Sequence, residues 1–289
     1  MRIHKPHPVE SFENLRSRID RFFRSPAATK PDKRSLGFDF SFADQRRALV
    51  EHPSANIAGF LNFISDALPH GDVYLFGGIL RDLALLGRRG FSSDIDLVVE
   101  GDWSHCVSYL ESLGARRNKF GGYRFEGAGW PIDIWNAEET WAIRQGFVSY
   151  KGIASLTETT ILNWDAILMN WRTRQFVNRM HYLEQLKSRV LDVVLEDNPN
   201  PRGMVTRVFR HLCSKDARQI TPSAARFLAR ATASYTFQEI RSEEIRSYGD
   251  AVVEPAVYRL FEHFEGAEGS VGRRFSIASD VLRRELGLV

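Results

Sequence analysis

The sequence predicts an α+β protein, with a mixed sheet flanked by helices followed by a smaller all-helical domain. Three observations carry this expectation. Between residues 70 and 180, short apolar runs bounded by turn residues alternate with stretches of helical spacing. After about residue 195 the strand signals fade, and "DNPNPRG" forms a proline- and glycine-rich joint ahead of purely helical periodicity. The chain has 289 residues, 43% of them hydrophobic, enough to furnish the core that such an arrangement needs. The expected divisions are a basic N-terminal arm and helix over 1–50, a head domain over 51–195 and a helical domain over 196–289.

Residues 1–34 hold nine Lys/Arg against four Asp/Glu, punctuated by Pro6, Pro8, Pro26 and Pro31, around one amphipathic helix from Ser11 to Phe23. "FADQRRALVEH" (42–52) and "ANIAGFLNFISDAL" (55–68) carry helical periodicity, with Phe60, Leu61, Phe63, Ile64 and Leu68 on an apolar face. "HGDVYLF" (70–76) then reads as a buried strand ended by Gly77 and Gly78. Helical spacing resumes in "ILRDLALLG" until Gly87. "DIDLVVEG" (94–101) is a second strand, whose alternation sends Asp94 and Asp96 to one face and Ile95 to the other. A helix over "WSHCVSYLESLGA" precedes a hairpin around Gly121-Gly122 and a further strand, "WPIDIWNA", with Asp133 in its middle. "TTILNWDAILMNW" and "QFVNRM" are expected to form another hairpin turning at Arg172–Arg174. Helices are expected over Met204–Cys213, Ser223–Ser234, Phe237–Ser247, Pro255–Phe264 and Phe275–Leu286.

Composition narrows the function. A formal charge of +3 is only mildly basic, so affinity for nucleic acid must come from local clustering. Cys106 and Cys213 match no zinc spacing and read as two buried thiols in a reducing compartment. No stretch approaches the roughly twenty apolar residues of a membrane span, and "MRIHKPHPVE" has no apolar leader core, so a soluble, cytoplasmic protein is expected.

The chemistry concentrates in "LFGGILRDLALLGRRGFSSDIDLVV", residues 75–99. An Asp-x-Asp pair on one strand face aims two carboxylates at one point, and a third from a neighbouring strand completes a two-metal clamp for phosphoryl or nucleotidyl transfer. Asp133 is the candidate for that third ligand beside Asp94 and Asp96. Gly77-Gly78 ahead of a helix offers exposed backbone N–H groups, where a triphosphate can sit, and Arg81, one turn into the helix, is placed to reach it. Taken singly, a D-x-D pair marks a solvated ion pair far more often than a metal site, and it is the combination in strand–turn–helix–strand order that points to transfer from a nucleotide. The tryptophans at 130, 135, 141, 164 and 171 are expected to be core or edge packing.

This stretch resembles the signature of class II CCA-adding enzymes and bacterial poly(A) polymerases, members of the polymerase-β-like nucleotidyltransferase superfamily. The resemblance implies a polymerase-β-like head, with Gly78 and Arg81 holding the nucleotide and two Mg²⁺ ions on Asp94, Asp96 and Asp133. Farther along, "LTETTILNWDA" resembles the family's ribose-contacting segment in keeping Thr160 and Asn163, with Leu156, Thr157 and Glu158 where a basic pair stands. "TRVFRHL" resembles the helix whose arginines read the incoming base, a role that falls to Arg207 and Arg210, while Gly203-Met204 replaces the acidic pair before it. The likeness is dense over 75–99 and covers about 70–215. It implies an NTP substrate and an RNA acceptor, tRNA or another small RNA, with a toxin or defence role attached to its divergence. The rival readings are transfer to a protein or small-molecule hydroxyl, and a nucleotide-binding regulator whose catalysis has decayed. Between Pro201 and Arg230 seven Lys/Arg stand against Asp216 alone, a basic stretch suited to a phosphate backbone.

Overall fold

The computed structural model describes residues 7–24, 57–91, 93–127 and 130–262. The helices expected over 42–52 and 275–286 lie outside these residues. The described chain forms two compact units. One holds residues 9–159 and 165–179; the other holds Thr160–Trp164 and the chain from Met180 onward. The chain therefore passes to its second unit near 180, rather than at the expected 196.

The first unit is built on a seven-stranded sheet ordered β3-β4-β5-β2-β1-β6-β7. Its strands are β1 (Asp72–Phe76), β2 (Ile95–Glu100), β3 (Arg116–Arg117), β4 (Tyr123–Gly127), β5 (Trp130–Asn136), β6 (Ile167–Asn170) and β7 (Phe176–Asn178). Only β2 and β5 run parallel; the remaining neighbours are antiparallel. Strand alternation sorts the side chains. Leu75, Leu97 and Ile134 stand in one row across β1, β2 and β5, and each is fully buried. Burying such an aliphatic side chain contributes roughly 1.5–3 kcal/mol. Among the described residues α1 (Phe12–Arg24), α2 (Ile57–Ala67), α3 (Gly78–Leu85), α4 (Trp103–Ser112) and the short α5 (Trp141–Arg144) accompany the sheet. Phe60 of α2 meets Phe125 of β4 edge-on, on the face that also carries Ile132 and Ile134. The opposite face carries Asp96, Asp133 and, farther along the strands, an apolar cluster of Tyr74, Val98, Ala137, Leu156 and Leu168.

Helix α1 is part of this unit rather than a free basic arm. Leu15, Ile19, Phe22 and Phe23 are buried, and Val9 N donates to Ala84 O at 2.9 Å. Arg18 donates to the carbonyls of Leu83 and Ala84 at 3.0 and 3.1 Å, satisfying the C-terminal end of α3 with a cation. The hairpin expected to begin near Thr159 is shorter than its sequence suggests. Only β6 and β7 pair, and residues 163–165 form a 3-10 turn. Trp130, Trp164 and Trp171 are core residues, as expected.

The second unit holds α6 (Tyr182–Lys187), α7 (Pro201–Ser214), α8 (Pro222–Ser234), α9 (Phe237–Tyr248) and α10 (Pro255–Glu262). Local sequence explains the starts. Asn200 accepts from Gly203 N at 3.1 Å ahead of Pro201, Thr221 accepts from Ala224 N ahead of Pro222, and Thr236 and Glu239 form a reciprocal capping box. The unit is mostly helical, with one departure from the all-helical expectation: β8 (Val190–Leu191) pairs in parallel with β9 (Gln219–Ile220).

Candidate active site

Register assembles the acidic residues. In the parallel β2–β5 pair Asp96 stands directly opposite Asp133, so both side chains leave the same face of the sheet. Asp94 lies just before β2 and is partly buried. On the other side of β5, antiparallel pairing sets Arg124 opposite Asp133. The Arg124 guanidinium spans two of the three carboxylates, with Nη2 2.6 Å from Asp94 Oδ2 and Nη1 3.2 Å from Asp133 Oδ2. Arg116 follows opposite Arg124 on β3, making a row from Arg116 through Arg124 and Asp133 to Asp96.

The electrostatics of this row are mixed. Burial pushes the Asp133 carboxyl above the usual carboxylate range, Arg124 pulls it back and Asp94 adds to the rise. For Arg124, burial works against the charge, yet Asp133, then Asp94 and Asp96, outweigh it and hold the proton more tightly than usual. Arg124 is the member of the site that the sequence reading missed. Its signal was present in the alternation of "YRFEG", which places Arg124 on the face away from Tyr123 and Phe125.

The Gly-Gly turn lies on the neighbouring strand, for Phe76 at the end of β1 pairs with Asp96. Gly77 has φ +58° and ψ −112°, a conformation suited to glycine. Its N–H donates to Ile167 O at 3.0 Å, so the groups offered to a ligand are those that follow it at the start of α3, where no side chain caps the helix. A Cβ on Gly78 would come within 3.3 Å of Ser93, showing how closely the turn and the segment before Asp94 approach.

Arg81 occupies a different place from the one expected. Rather than reaching outward to a phosphate, its guanidinium is buried. It pairs with Asp165, binds Asp82 Oδ1 through Nε at 2.9 Å and reaches Ser93 Oγ through Nη2 at 3.2 Å. Ser93 in turn donates to Asp82 Oδ2 at 2.8 Å. The Arg-Asp pair of the motif therefore ties the segment that delivers Asp94 to the helix that follows the glycine turn.

Three more expected site residues lie in the second unit. Asn163 is buried, and its side chain is committed to protein partners: Nδ2 donates to Gln185 Oε1 and Val190 O, and Oδ1 accepts from Asp192 N. Both ends of the amide that was expected to contact a ribose are thus engaged within the protein. Arg210 is likewise committed, pairing with buried Glu244 at 2.6 Å and Asp250 at 2.9 Å and lying over the Tyr248 ring. Arg207 is exposed on α7. The basic stretch around them is partly balanced by acids distant in sequence, since Arg202 pairs with Glu239 and Arg230 with Glu196, while Arg218 pairs with Asp216 inside the stretch. The charge run of the sequence is thus partly neutralised in space.

The three aspartates fit a hard divalent cation in the chemistry of their donors, which are carboxylate oxygens held on adjacent strands of one face. As they stand, Arg124 rather than mutual convergence closes the set, and among the described residues no three His, Cys, Asp or Glu groups gather into a ready metal cage. Also among the described residues, no helix is long and apolar enough to cross a membrane.

No protein-family model matches the chain, and no curated protein matches it. Solved structures do. A CCA-adding enzyme with CTP aligns at 20% identity and TM-score 0.48, covering 83% of this chain and 55% of that one. The Thermotoga maritima CCA-adding enzyme complexed with tRNA aligns at 20% identity and TM-score 0.49, with the same coverage. A tRNA nucleotidyltransferase complexed with a primer tRNA and an incoming ATP analog aligns at 16% identity and TM-score 0.48, covering 78% and 60%. The chain spans little more than half the length of these structures.

Proposed function

We propose that this chain is a metal-dependent nucleotidyltransferase, moving a nucleoside monophosphate from an NTP to the 3′ end of an RNA, with tRNA or another small RNA as acceptor. The observation that carries the reading is the register of Asp96 beside Asp133 on parallel β2 and β5, with Asp94 ahead of β2 and the uncapped helix start after Gly77 at the end of adjacent β1. Carboxylates and an anion-binding turn on adjacent strands are what joining a hydroxyl to an α-phosphorus requires.

In this reading Asp94, Asp96 and Asp133 would hold Mg²⁺, two ions at full occupancy. Bound there, the metal supplies a lowered pKa at the acceptor hydroxyl and offsets charge on the leaving pyrophosphate. The chain's own residues do the rest. The N–H groups at the start of α3 would orient the triphosphate. The Arg81–Asp82–Asp165–Ser93 network holds that turn and the delivery segment of Asp94 in fixed relation, so that donor and carboxylates meet in one geometry. Arg116, Arg117 and Lys119, exposed along the β3–β4 edge, would carry the acceptor's phosphates. This edge replaces the partly neutralised stretch of 201–230 as the basic surface of the reading.

The test is incubation of the full chain with total tRNA, Mg²⁺ and each α-labelled NTP in turn, beside an Asp94→Ala/Asp96→Ala control. Label entering RNA with wild type alone is the expected result and names the base. Label entering protein or a small molecule would replace the RNA acceptor, and label appearing nowhere would leave a nucleotide-binding regulator. A toxin or defence role belongs to the same proposal, and predicts growth arrest on induction of wild type but not of the double variant.

A further inference from the structure

We propose that Arg124 is the internal counter-cation of the carboxylate edge, holding Asp94 and Asp133 together before a divalent cation arrives and yielding that place when the cation binds. This rests on the reading of Asp94, Asp96 and Asp133 as cation ligands and adds to it a residue that sets how readily the cation enters.

Arg124 is opposite Asp133 in the β4–β5 pair and Asp96 is opposite Asp133 in the β2–β5 pair, so one cationic and two anionic side chains project from one face in one row. Asp94 joins them from the segment ahead of β2. A guanidinium is a planar fork, and here its two terminal nitrogens are divided between carboxylates from different segments, Asp94 at 2.6 Å and Asp133 at 3.2 Å. A divalent cation shared by those carboxylates would need the same space and bring positive charge to the same oxygens, so the two occupants exclude one another.

The burial pattern favours exchange over a permanent tie. The Asp133 side chain is 20% exposed and sits on a central strand, whereas the Arg124 side chain is 53% exposed. The ligand stays while its partner has a solvent-facing way out on a long side chain. Asp94 and Asp133 side by side without any cation would repel one another, and Arg124 relieves that repulsion until a metal takes over.

Arg124 is thus a positioning residue, and the competition gives its removal an unusual sign. The experiment is Mn²⁺ titration of the full chain without nucleotide, followed by calorimetry or by the loss of the free-ion paramagnetic resonance signal. The chains compared are wild type, Arg124→Gln and Arg124→Lys. Arg124→Gln should bind Mn²⁺ about tenfold tighter than wild type, and Arg124→Lys, which keeps the charge but cannot span both carboxylates, should fall between them. In EDTA, Arg124→Gln should melt below wild type, and Mn²⁺ should raise its Tm by more than it raises that of wild type. Equal or weaker Mn²⁺ binding in both Arg124 variants, with circular dichroism unchanged, overturns the proposal. If that equal binding disappears in Asp94→Ala/Asp96→Ala, the cation reading stands and only the role of Arg124 falls. If no chain binds Mn²⁺, both fall together.

Discussion

Replacing Arg81 by methionine separates the two roles that this residue could have. Its side chain is 8% exposed and lies between Asp82, which is fully buried, and Asp165, which is nearly so. Solvent therefore screens little of the interaction, and the values for buried pairs apply rather than those for surface bridges. Removing the shared cation leaves two carboxylates without it in a dry site, at a cost of about 3–5 kcal/mol. Against a total stability of about 5–15 kcal/mol this is a large fraction. With a urea dependence of about 2 kcal/mol per molar, the midpoint should fall by about 1.5–2.5 M. Urea titration followed by circular dichroism reads it directly. Adding Asp165→Asn to Arg81→Met should recover part of the loss, with a coupling of about 1–3 kcal/mol between the two sites. A residue that merely held the nucleotide would behave otherwise. If Arg81→Met unfolds within about 1 kcal/mol of wild type while KM for the NTP rises, the structural role assigned to Arg81 is wrong.

Two further outcomes follow from the same structure. Gly77→Ala places a Cβ on a residue at φ +58°, and should cost about 1–3 kcal/mol, measured as a drop in Tm, although no atom lies closer than 3.5 Å to the new methyl. In the alkaline range the sign is set by groups whose proton the fold retains. Burial pushes the thiols of Cys106 and Cys213 and the phenols of Tyr74 and Tyr109 each up to about 12. Their contribution to stability is whole below the unfolded values, about 8.5 for a thiol and 10 for a phenol, and is lost as pH rises through the folded ones. The urea midpoint should accordingly fall steadily from pH 8.5 to pH 11, and the Cys106 thiol, buried where Cys213 is only partly so, should not react quickly with a disulfide reagent at pH 8 until the chain is unfolded. A midpoint that is flat across this range would contradict the burial of these groups.

Much of the site was legible because its signals are local. A Gly-Gly pair after an apolar run and the helix that follows it depend on neighbours within a few positions and stand where the sequence places them, while of the D-x-D pair Asp96 lies in β2 and Asp94 falls just ahead of it rather than in the strand. The assignments that changed depend on residues far away in the chain. Arg81 reads as an outward cation until Asp165, 84 positions later, is brought against it. Arg210 reads as free to meet a base until Glu244 is folded onto it, and Asn163 as a polar contact until Val190 and Asp192 use its amide. The boundary near 180 was hidden for the same reason, since the segment 160–164 belongs with residues that follow it by about thirty positions.

By itself the sequence determined the class of the fold, the glycine turn, and the strand face of Asp96. These follow from backbone sterics and from the two-residue period of a strand, which need no distant partner. Only the tertiary structure decided that β5 lies parallel to β2, so that Asp133 stands beside Asp96, and that Arg124 bridges Asp94 and Asp133 while Arg81 is buried against Asp82 and Asp165. Pairing order and ion-pair partners are long-range choices, set by which faces bury together, and a charged side chain reads the same in sequence whether it meets solvent, a ligand or another charge.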